Sequence, residues 1–298
     1  MSDGTRRTLE ELITLYQEEP ELSEVITEGR TDAGLLTWYL RRQGHDTRVF
    51  AIDDRLTVTA SEVRQRGQDR GCKGRLIAAA LYLNETSVEG TQRVTFIADV
   101  DTNIAVGHPL EGADCLLWTD YTSMEMYCYA KNPIDKFLRV CLRAPEAVKA
   151  ESVLAAIRDC LVEIFYIRIV LSFLEDPKSM ASNFDRKLRV IDNDVDVDIK
   201  TLIRDSVKTK GVDVDELIKS QRLKRSTCPS DERMAIRGHD FIQVCCFYLK
   251  TAHSGLFKDD RAAYKSAQVF GNALIACLEL PDLSSENLFQ RLTERLRL

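Results

Sequence analysis

The sequence has few histidines, and its cysteines are not arranged in the commonest catalytic and metal-binding motifs. Histidine occurs four times in 298 residues, and the nine cysteines include no Cys-x-x-Cys pair. Neither a zinc site of the usual spacing nor thioredoxin-like chemistry is therefore expected, and no Ser-His-Asp or Cys-His arrangement stands out. The odd number of cysteines, scattered through segments predicted to form core, favours reduced and mostly buried thiols.

Long apolar runs and a leader segment are also missing. The most apolar stretch, residues 161–174, contains Glu163 and Arg168 and is shorter than the roughly 20 residues that a helix needs to cross a bilayer. The N-terminal residues contain no apolar segment that ends at a small-residue cleavage site. We therefore expect no membrane span, no secretory signal and a cytoplasmic location.

Basic charge is not in excess. The chain carries 41 lysine and arginine residues against 47 aspartate and glutamate residues, a formal charge of −6. This balance removes the broad attraction expected of a generic nucleic-acid coat protein, although a local basic channel is compatible with it. With 298 residues, 44% of them hydrophobic, the chain is long enough for two domains with substantial cores.

Strand and helix patterns alternate through the first half of the chain. The segments predicted as strands are residues 25–27, 48–52, 94–98 and 115–118. Helices are predicted between them, the first with Thr31 as its N-cap. After Pro133 the pattern is largely helical, with one long helix over residues 145–175 and another over residues 259–280.

This order of elements predicts an α/β fold. A mostly parallel sheet flanked by helices, with right-handed crossovers, is expected first, followed by a second, α-rich C-terminal domain. We predict a catalytic domain with an N-terminal helix over residues 1–142 and a domain for assembly and possible substrate contacts over residues 143–298. Reactive groups in such sheets lie at the carboxyl ends of the strands, so residues at those positions are the first candidates.

Acidic residues follow two of the predicted strands. Glu28 and Gly29 come after the first strand, and Asp99 and Asp101 come after the third. Such carboxylates can converge on a divalent metal with oxygen-only ligation, and glycine lets the backbone turn tightly beside them. Taken singly, the first pair is compatible with an ordinary strand-to-helix turn and the second with a surface loop. Their order and strand context favour a metal site.

The two segments together resemble the TOPRIM fold, which occurs in topoisomerases, bacterial primases, ribonucleases that mature ribosomal RNA, and phage-defence nucleases. The matching stretches are ITEGRTD at residues 26–32 and FIADVDTN at residues 96–103. The resemblance implies that Glu28 acts as an acid/base or metal-associated group and that Asp99 and Asp101 bind magnesium, or manganese in its place.

Further segments look like those of TOPRIM-like effectors of bacterial phage defence, a group that includes the effector subunit of the PARIS system. They are EPEL at residues 19–22, TDYTSME at residues 119–125 and RGHD at residues 237–240. The resemblance implies a magnesium-dependent endonuclease that cleaves host transfer RNA after release from an ABC-type ATPase partner and is active as a homodimer. It also makes Glu125 a secondary metal-ligand candidate, which the residues alone would class as a helix-capping or surface acid.

A basic segment lies between the second and third predicted strands. Lys73 is predicted near the metals, because TOPRIM-like nucleases often place a lysine there. The four arginines Arg64, Arg66, Arg70 and Arg75 are predicted to contact a phosphate backbone. The alternative for each of these residues is a solvated loop.

Two questions stay open at the level of sequence, and one further pattern gives a prediction. The enzyme could instead be a DNA-nicking or ribosomal-RNA-processing nuclease on the same fold, or the chain could be a noncatalytic TOPRIM-like interaction subunit. The long helix over residues 145–175 could be the core of the second domain or a partner interface. The alternating Asp192, Asp194, Asp196 and Asp198 predict an extended acidic edge that faces solvent.

Overall fold

The four predicted strands form one parallel sheet in a computed structural model of the chain. They are β1 (Glu24–Thr27), β2 (Arg48–Ala51), β3 (Val94–Ala98) and β4 (Leu116–Trp118). The strand order is β2-β1-β3-β4, and every neighbouring pair is parallel. All residues of β1 and β3 are buried, as expected for central strands covered on both faces. The prediction of an α/β fold with a parallel sheet flanked by helices is confirmed.

The described residues are 6–86, 93–175, 178–181, 184–207 and 213–297. Their α-helices are α1 (Leu9–Glu18), α2 (Arg30–Arg42), α3 (Ile52–Arg55), α4 (Ala60–Gln65), α5 (Cys72–Thr86), α6 (Lys131–Lys136), α7 (Ala150–Ser172), α8 (Ile199–Val207), α9 (Val214–Arg225), α10 (Gly238–Ala252), α11 (Ala267–Ile275), α12 (Leu280–Ser284) and α13 (Asn287–Arg295). A short hairpin is formed by β5 (Leu188–Ile191) and β6 (Asp194–Val197). None of these helices is both long and apolar enough to cross a membrane.

The chain divides into two compact units, each built from separate stretches. The first contains Met1–Val100, Pro109–Asp120 and Leu280–Leu298, and the second contains Asp101–His108 and Tyr121–Glu279. The parallel sheet belongs to the first unit, and α6–α11 with the hairpin belong to the second. The predicted division between residues 142 and 143 stays a prediction.

Helix α2 begins two residues earlier than the sequence suggested. Its N-cap is Gly29, in extended conformation and without a side-chain cap, so the prediction of Thr31 as the N-cap is wrong and Thr31 lies in the first turn. The strand end and the helix start are thus separated by only two residues, Glu28 and Gly29. Gly44, with φ +84°, follows the end of the helix, where a left-handed residue is common and glycine carries no Cβ penalty.

A buried ion pair anchors the opposite end of β1. Arg55 donates hydrogen bonds of 2.9 and 2.8 Å to the two carboxylate oxygens of Glu24, and the hydroxyl of Tyr16 donates a third of 2.8 Å. The side chains of Arg55 and Glu24 are 3% and 0% exposed. Burial raises the pKa of Tyr16 well above its usual value, and the neighbouring Glu24 raises it further. The three side chains join α1, β1 and α3 within the first unit.

The long helix α7 is the core of the second unit. It extends over Ala150–Ser172, shorter at both ends than predicted, and its buried residues lie around most of its circumference. It packs against α10, α9 and β6. Arg168 on α7 pairs with Asp240 on α10 through two hydrogen bonds of 2.7 Å. Of the two interpretations left open for this helix, burial supports the core.

Candidate metal centre at the carboxyl edge of the sheet

The ends of the two central strands bring Glu28 and Asp99 together. Thr27 pairs with Ile97 across β1 and β3, and each acidic residue follows the end of its strand. The backbone N–H of Asp99 donates a 2.8 Å hydrogen bond to Oε1 of Glu28. Because the strands are parallel and in this register, two acidic residues that are distant in sequence lie next to each other at one edge of the sheet.

The turn that carries Glu28 is held by local contacts. The hydroxyl of Thr27 donates a 2.9 Å hydrogen bond to the carbonyl of Gly29 across the turn. A Cβ on Gly29 would lie 3.2 Å from a carboxylate oxygen of Asp32, a close approach that favours glycine. Helix α2 starts directly afterwards, so Glu28 lies next to a helix N-terminus, where a negative charge is favourable. Asp32 lies in the first turn of the same helix and has the same favourable relation to its dipole.

Lys73 reaches the same edge from the first turn of α5. Its Nζ donates a 3.4 Å hydrogen bond to the carbonyl of Val100 and lies 5.4 Å from the centre of the Trp118 ring. Val100 follows Asp99, and Trp118 ends β4. The Lys73 ammonium group therefore lies beside the ends of β3 and β4, within the unit that also holds Glu28 and Asp99. The contact between Lys73 and Trp118 was not predicted from the sequence. Trp118 is the last residue of a predicted strand, and that position was the available signal.

Close backbone packing fixes the start of α5. A Cβ on Gly74 would lie only 2.0 Å from the carbonyl oxygen of Asp69, so a larger residue could not occupy this position without a backbone shift. The side chain of Asp69 accepts a 2.8 Å hydrogen bond from the N–H of Gly71, which turns the chain into the helix. The glycines in the basic segment thus hold Lys73 in place by allowing this approach.

The four arginines predicted to contact substrate have different surroundings. Arg66 pairs with Glu85 at 2.6 Å and stacks on Tyr82. Tyr82 and Glu85 lie nine and twelve residues beyond Lys73 in α5. At 1.5 Å per residue, they are about 14–18 Å from Lys73 along the helix.

Arg75 pairs with Asp53 at 2.6 Å and contacts the sulfur of Cys72 at 3.3 Å. Arg64 and Arg70 are exposed. The structure therefore gives Arg66 and Arg75 carboxylate partners within the protein, and it leaves Arg64 and Arg70 on the surface.

Asp101 and Glu125 belong to the second unit. Asp101 has φ 52°, and its N–H donates a 2.7 Å hydrogen bond to the carbonyl of Thr122. Glu125 lies in the 3₁₀ helix Met124–Cys128, and its Oε2 is buried without a hydrogen-bond partner. Its other oxygen lies 3.6 Å from Nδ1 of His239. The chain thus passes from the first unit to the second between the two aspartates of the Asp-Val-Asp motif.

The donor set on the first unit is compatible with magnesium. Across the described residues, no three or more histidine, cysteine, aspartate or glutamate side chains are grouped so that they could hold a metal ion. Magnesium does not require such a cage, because it is usually bound through one or two carboxylates together with water and substrate phosphate. A carboxylate accepts up to about four contacts, so the hydrogen bond from Asp99 to Glu28 is compatible with ligation by the same group. Glu28 and Asp99 are the residues that fit.

The sequence matches no protein-family model and no curated protein. The resemblance to TOPRIM proteins therefore stays a prediction that depends on the quoted motifs.

Proposed function

We propose that the chain is a metal-dependent endonuclease with a TOPRIM-like catalytic fold. The observation that supports this most directly is the hydrogen bond from the Asp99 amide to the Glu28 carboxylate, at the carboxyl edge of a parallel sheet. Lys73 adds a cation beside the same strand ends. Two carboxylates and a lysine at one edge form a suitable set for phosphodiester hydrolysis.

Each of these side chains has a distinct role in the proposal. Glu28 and Asp99, both in the first unit, would hold magnesium or manganese. The bound ion would supply Lewis-acid polarisation of the scissile phosphate. Glu28 also accepts the proton of the attacking water. Lys73 stabilises the negative charge that develops on the phosphate in the transition state.

The biological setting follows from the resemblance alone. Similarity to AriB, the effector subunit of the PARIS system, supports a toxic effector of anti-phage defence that cleaves host transfer RNA. It also supports restraint by an ABC-type ATPase partner and activity as a homodimer. Arg64 and Arg70 would contact the RNA backbone in this proposal.

Cleavage assays with charge-neutral isosteres test the catalytic assignment. The full chain is incubated with magnesium and with total transfer RNA, ribosomal RNA or supercoiled plasmid, and each reaction is repeated with EDTA. We expect metal-dependent cleavage of transfer RNA by the wild type and its loss in Glu28→Gln and Asp99→Asn. Glutamine keeps a carbonyl that can accept the Asp99 amide, so the first variant removes the charge while preserving this contact.

A matched control removes one negative charge elsewhere on the first unit. Asp46 is exposed and lies just before β2, at the amino edge of the sheet, so Asp46→Asn should cleave as the wild type does. Cleavage by Glu28→Gln or Asp99→Asn at the wild-type rate would contradict the assignment. Nicking of plasmid or trimming of ribosomal RNA in place of transfer RNA cleavage would replace the proposed substrate with one of the two alternatives.

The same assays test the alternative of a noncatalytic TOPRIM-like interaction subunit. Co-purification with an ATPase, together with no cleavage of any of the three substrates in magnesium or manganese, would support that function.

A further inference from the structure

The residue that follows β4 contacts the backbone on both sides of Asp99. Thr119 comes directly after Trp118, which pairs with Ala98 in the register of β3 and β4. The backbone N–H of Thr119 donates a 3.0 Å hydrogen bond to the carbonyl of Ala98. The backbone N–H of Val100 donates a hydrogen bond of the same length, 3.0 Å, to the Thr119 hydroxyl. Thr119 is thus bonded to the peptide groups immediately before and after Asp99.

Three hydrogen bonds fix the backbone conformation at Asp99. Each peptide group is planar, so φ and ψ of Asp99 alone set the relative orientation of the planes before and after its Cα. In the plane before it, the Ala98 carbonyl is bonded to Thr119, and the N–H of Asp99 is bonded to Glu28. In the plane after it, the N–H of Val100 is bonded to Thr119. Neither plane can turn without breaking one of these bonds, so the side chain of Asp99 leaves the backbone in one direction.

The Thr119 hydroxyl lies in the protein interior. Thr119 and Val100 are each 3% exposed, so bulk water has little access to the bond between them. Without the hydroxyl, the N–H of Val100 would be buried without its acceptor, and that conformation would be destabilised. The carbonyl of Val100 accepts the hydrogen bond from Lys73, so a shift of Val100 would also displace the contact that holds the ammonium group.

We propose that Thr119 is a positioning residue of the candidate metal centre: its hydroxyl aligns Asp99 for the metal ion and Lys73 for the phosphate. This inference rests on the roles proposed above for Asp99 and Lys73. Groups that orient a metal ligand from outside the coordination sphere change metal affinity or activity by about 10–100-fold when they are removed. The proposal extends the site from β1 and β3 to the end of β4.

A purely structural role for Thr119 makes a different prediction, and Thr95 provides the matched control. Thr95 is 0% exposed and is the second residue of β3, towards the amino edge of the sheet. Its hydroxyl also accepts a hydrogen bond, of 3.1 Å, from Nε of Arg295. Thr95→Val therefore removes the same kind of buried acceptor from the same unit, at the other end of the strand that precedes Asp99. If Thr119 only stabilises the fold, Thr119→Val and Thr95→Val should behave alike.

Metal binding and metal-dependent cleavage test the proposal on the full chain. The dissociation constant of Mn²⁺ is measured by isothermal titration calorimetry without RNA. The Mg²⁺ concentration that gives half-maximal cleavage of transfer RNA is measured separately. In Thr119→Val, which keeps the shape of the side chain but lacks the hydroxyl, we expect both values to rise by about 10–100-fold. Thr119→Ser keeps the hydroxyl and should return both values close to those of the wild type, and Thr95→Val should leave them unchanged.

The outcomes separate this inference from the proposed function. If the wild type binds Mn²⁺ and cleaves, wild-type values in Thr119→Val, or an equal rise in Thr95→Val, would overturn the role of Thr119 alone. A wild type that neither binds Mn²⁺ nor cleaves would overturn the proposed function and this role with it. Circular dichroism checks the folding of each variant. If Thr119→Val is unfolded, Thr119→Ser and Thr119→Ala are compared, because both lack the methyl group and they differ only in the hydroxyl; equal Mn²⁺ affinity in these two would overturn the proposal.

Discussion

Removal of Arg55 should destabilise the first unit strongly, because it leaves a buried carboxylate without its cation. Glu24 accepts three hydrogen bonds, two of them from Arg55, and is fully buried. In Arg55→Met the aliphatic part of the side chain is retained against Phe50, whereas the positive charge and both donors are lost. Breaking a buried ion pair by removing one partner typically costs about 3–5 kcal/mol, and we expect a cost in that range.

The cost should depend on pH. A buried carboxylate that has lost its cation has a raised pKa, so the folded variant binds a proton at a higher pH than the unfolded chain, whose glutamates titrate near 4.3. Stability linked to that proton is present at low pH and is lost as the pH rises through the folded-state pKa. The difference between Arg55→Met and the wild type should therefore be largest at pH 7–8 and should shrink towards pH 5.

Tryptophan fluorescence isolates the unit in question. Both tryptophans, Trp38 and Trp118, belong to the first unit, so their emission during urea unfolding follows that unit and not the second. The midpoint and slope of the transition at pH 5, 6.5 and 8 then give the free energy of unfolding for each variant.

A surface pair provides the matched control. Arg30 contacts Asp54 with the same two-pronged geometry, at 2.9 and 2.6 Å, but their side chains are 80% and 36% exposed. Arg30→Met should change the unfolding midpoint little, because solvent screens an exposed pair. If Arg55→Met were no more destabilising than Arg30→Met, or if its cost were the same at pH 5 and pH 8, the reasoning from burial would be refuted.

Three other changes have specific expected outcomes. Lys73→Met should lower the initial rate of metal-dependent cleavage about 10²–10³-fold, as loss of a transition-state donor does; an unchanged rate would remove Lys73 from the site. Gly238→Ala would place a Cβ 2.1 Å from the Ser123 hydroxyl. We expect this variant to lower the free energy of unfolding of the second unit by about 1–3 kcal/mol, measured by urea unfolding followed by circular dichroism. The control Gly255→Ala, whose Cβ would have no atom within 4 Å, should leave it unchanged. Burial raises the pKa of the Cys115 thiol from 9.0 to about 11. The stability that this group contributes below pH 9 should therefore fall by about 2–3 kcal/mol as the pH rises to 11. In Cys115→Ala, urea unfolding followed by tryptophan fluorescence should show a smaller fall in stability over this pH range.

Much of the first unit could be predicted because its strands are short segments rich in apolar residues. Residues 94–98 form β3 with the predicted bounds, and β1 differs from prediction by one residue. Strands buried on both faces are rich in apolar residues, which makes them easy to recognise. Parallel pairing then places their carboxyl ends at one edge, so the proximity of Glu28 and Asp99 follows from strand positions alone.

The acidic alternation in the second half was interpreted incompletely. Asp192 and Asn193 have φ 50° and 71° and form the turn between β5 and β6, whereas only Asp194 and Asp196 lie on the exposed face of a strand. Asp198 accepts hydrogen bonds from the backbone and hydroxyl of Thr201 at the start of α8. The prediction of one extended acidic edge is therefore wrong for the first and last aspartates. Aspartate and asparagine tolerate the left-handed backbone conformation, so the pair Asp192 and Asn193 is compatible with a turn. The prediction from the alternating aspartates did not take this turn signal into account.

The predicted helix over residues 259–280 is also wrong. A 3₁₀ helix occupies Asp259–Lys265, and α11 starts at Ala267 after Ser266, which is the N-cap in extended conformation. Tyr264 and Phe270 from these two segments both pack on Phe137, at ring distances of 5.7 and 4.5 Å. Packing against Phe137, which is distant in sequence, favours the break between the 3₁₀ helix and α11. The helical periodicity of residues 259–280 carries no information about this packing. The pairing of Glu24 with Arg55 was hidden for the same reason.

The backbone at Val100 shows why residue spacing alone could not fix the orientation of the second aspartate. Val100 is 3% exposed, its N–H donates a 3.0 Å hydrogen bond to the Thr119 hydroxyl, and its carbonyl accepts one from Lys73. In an extended chain, side chains at positions i and i+2 point the same way, which is what the Asp-Val-Asp spacing suggested. Asp101 instead has φ 52°, so the alternation ends there and its direction is set by the left-handed conformation. A substitution that tests its charge must therefore tolerate that conformation, as asparagine does and β-branched residues do not, because otherwise backbone strain would be mistaken for loss of a metal ligand.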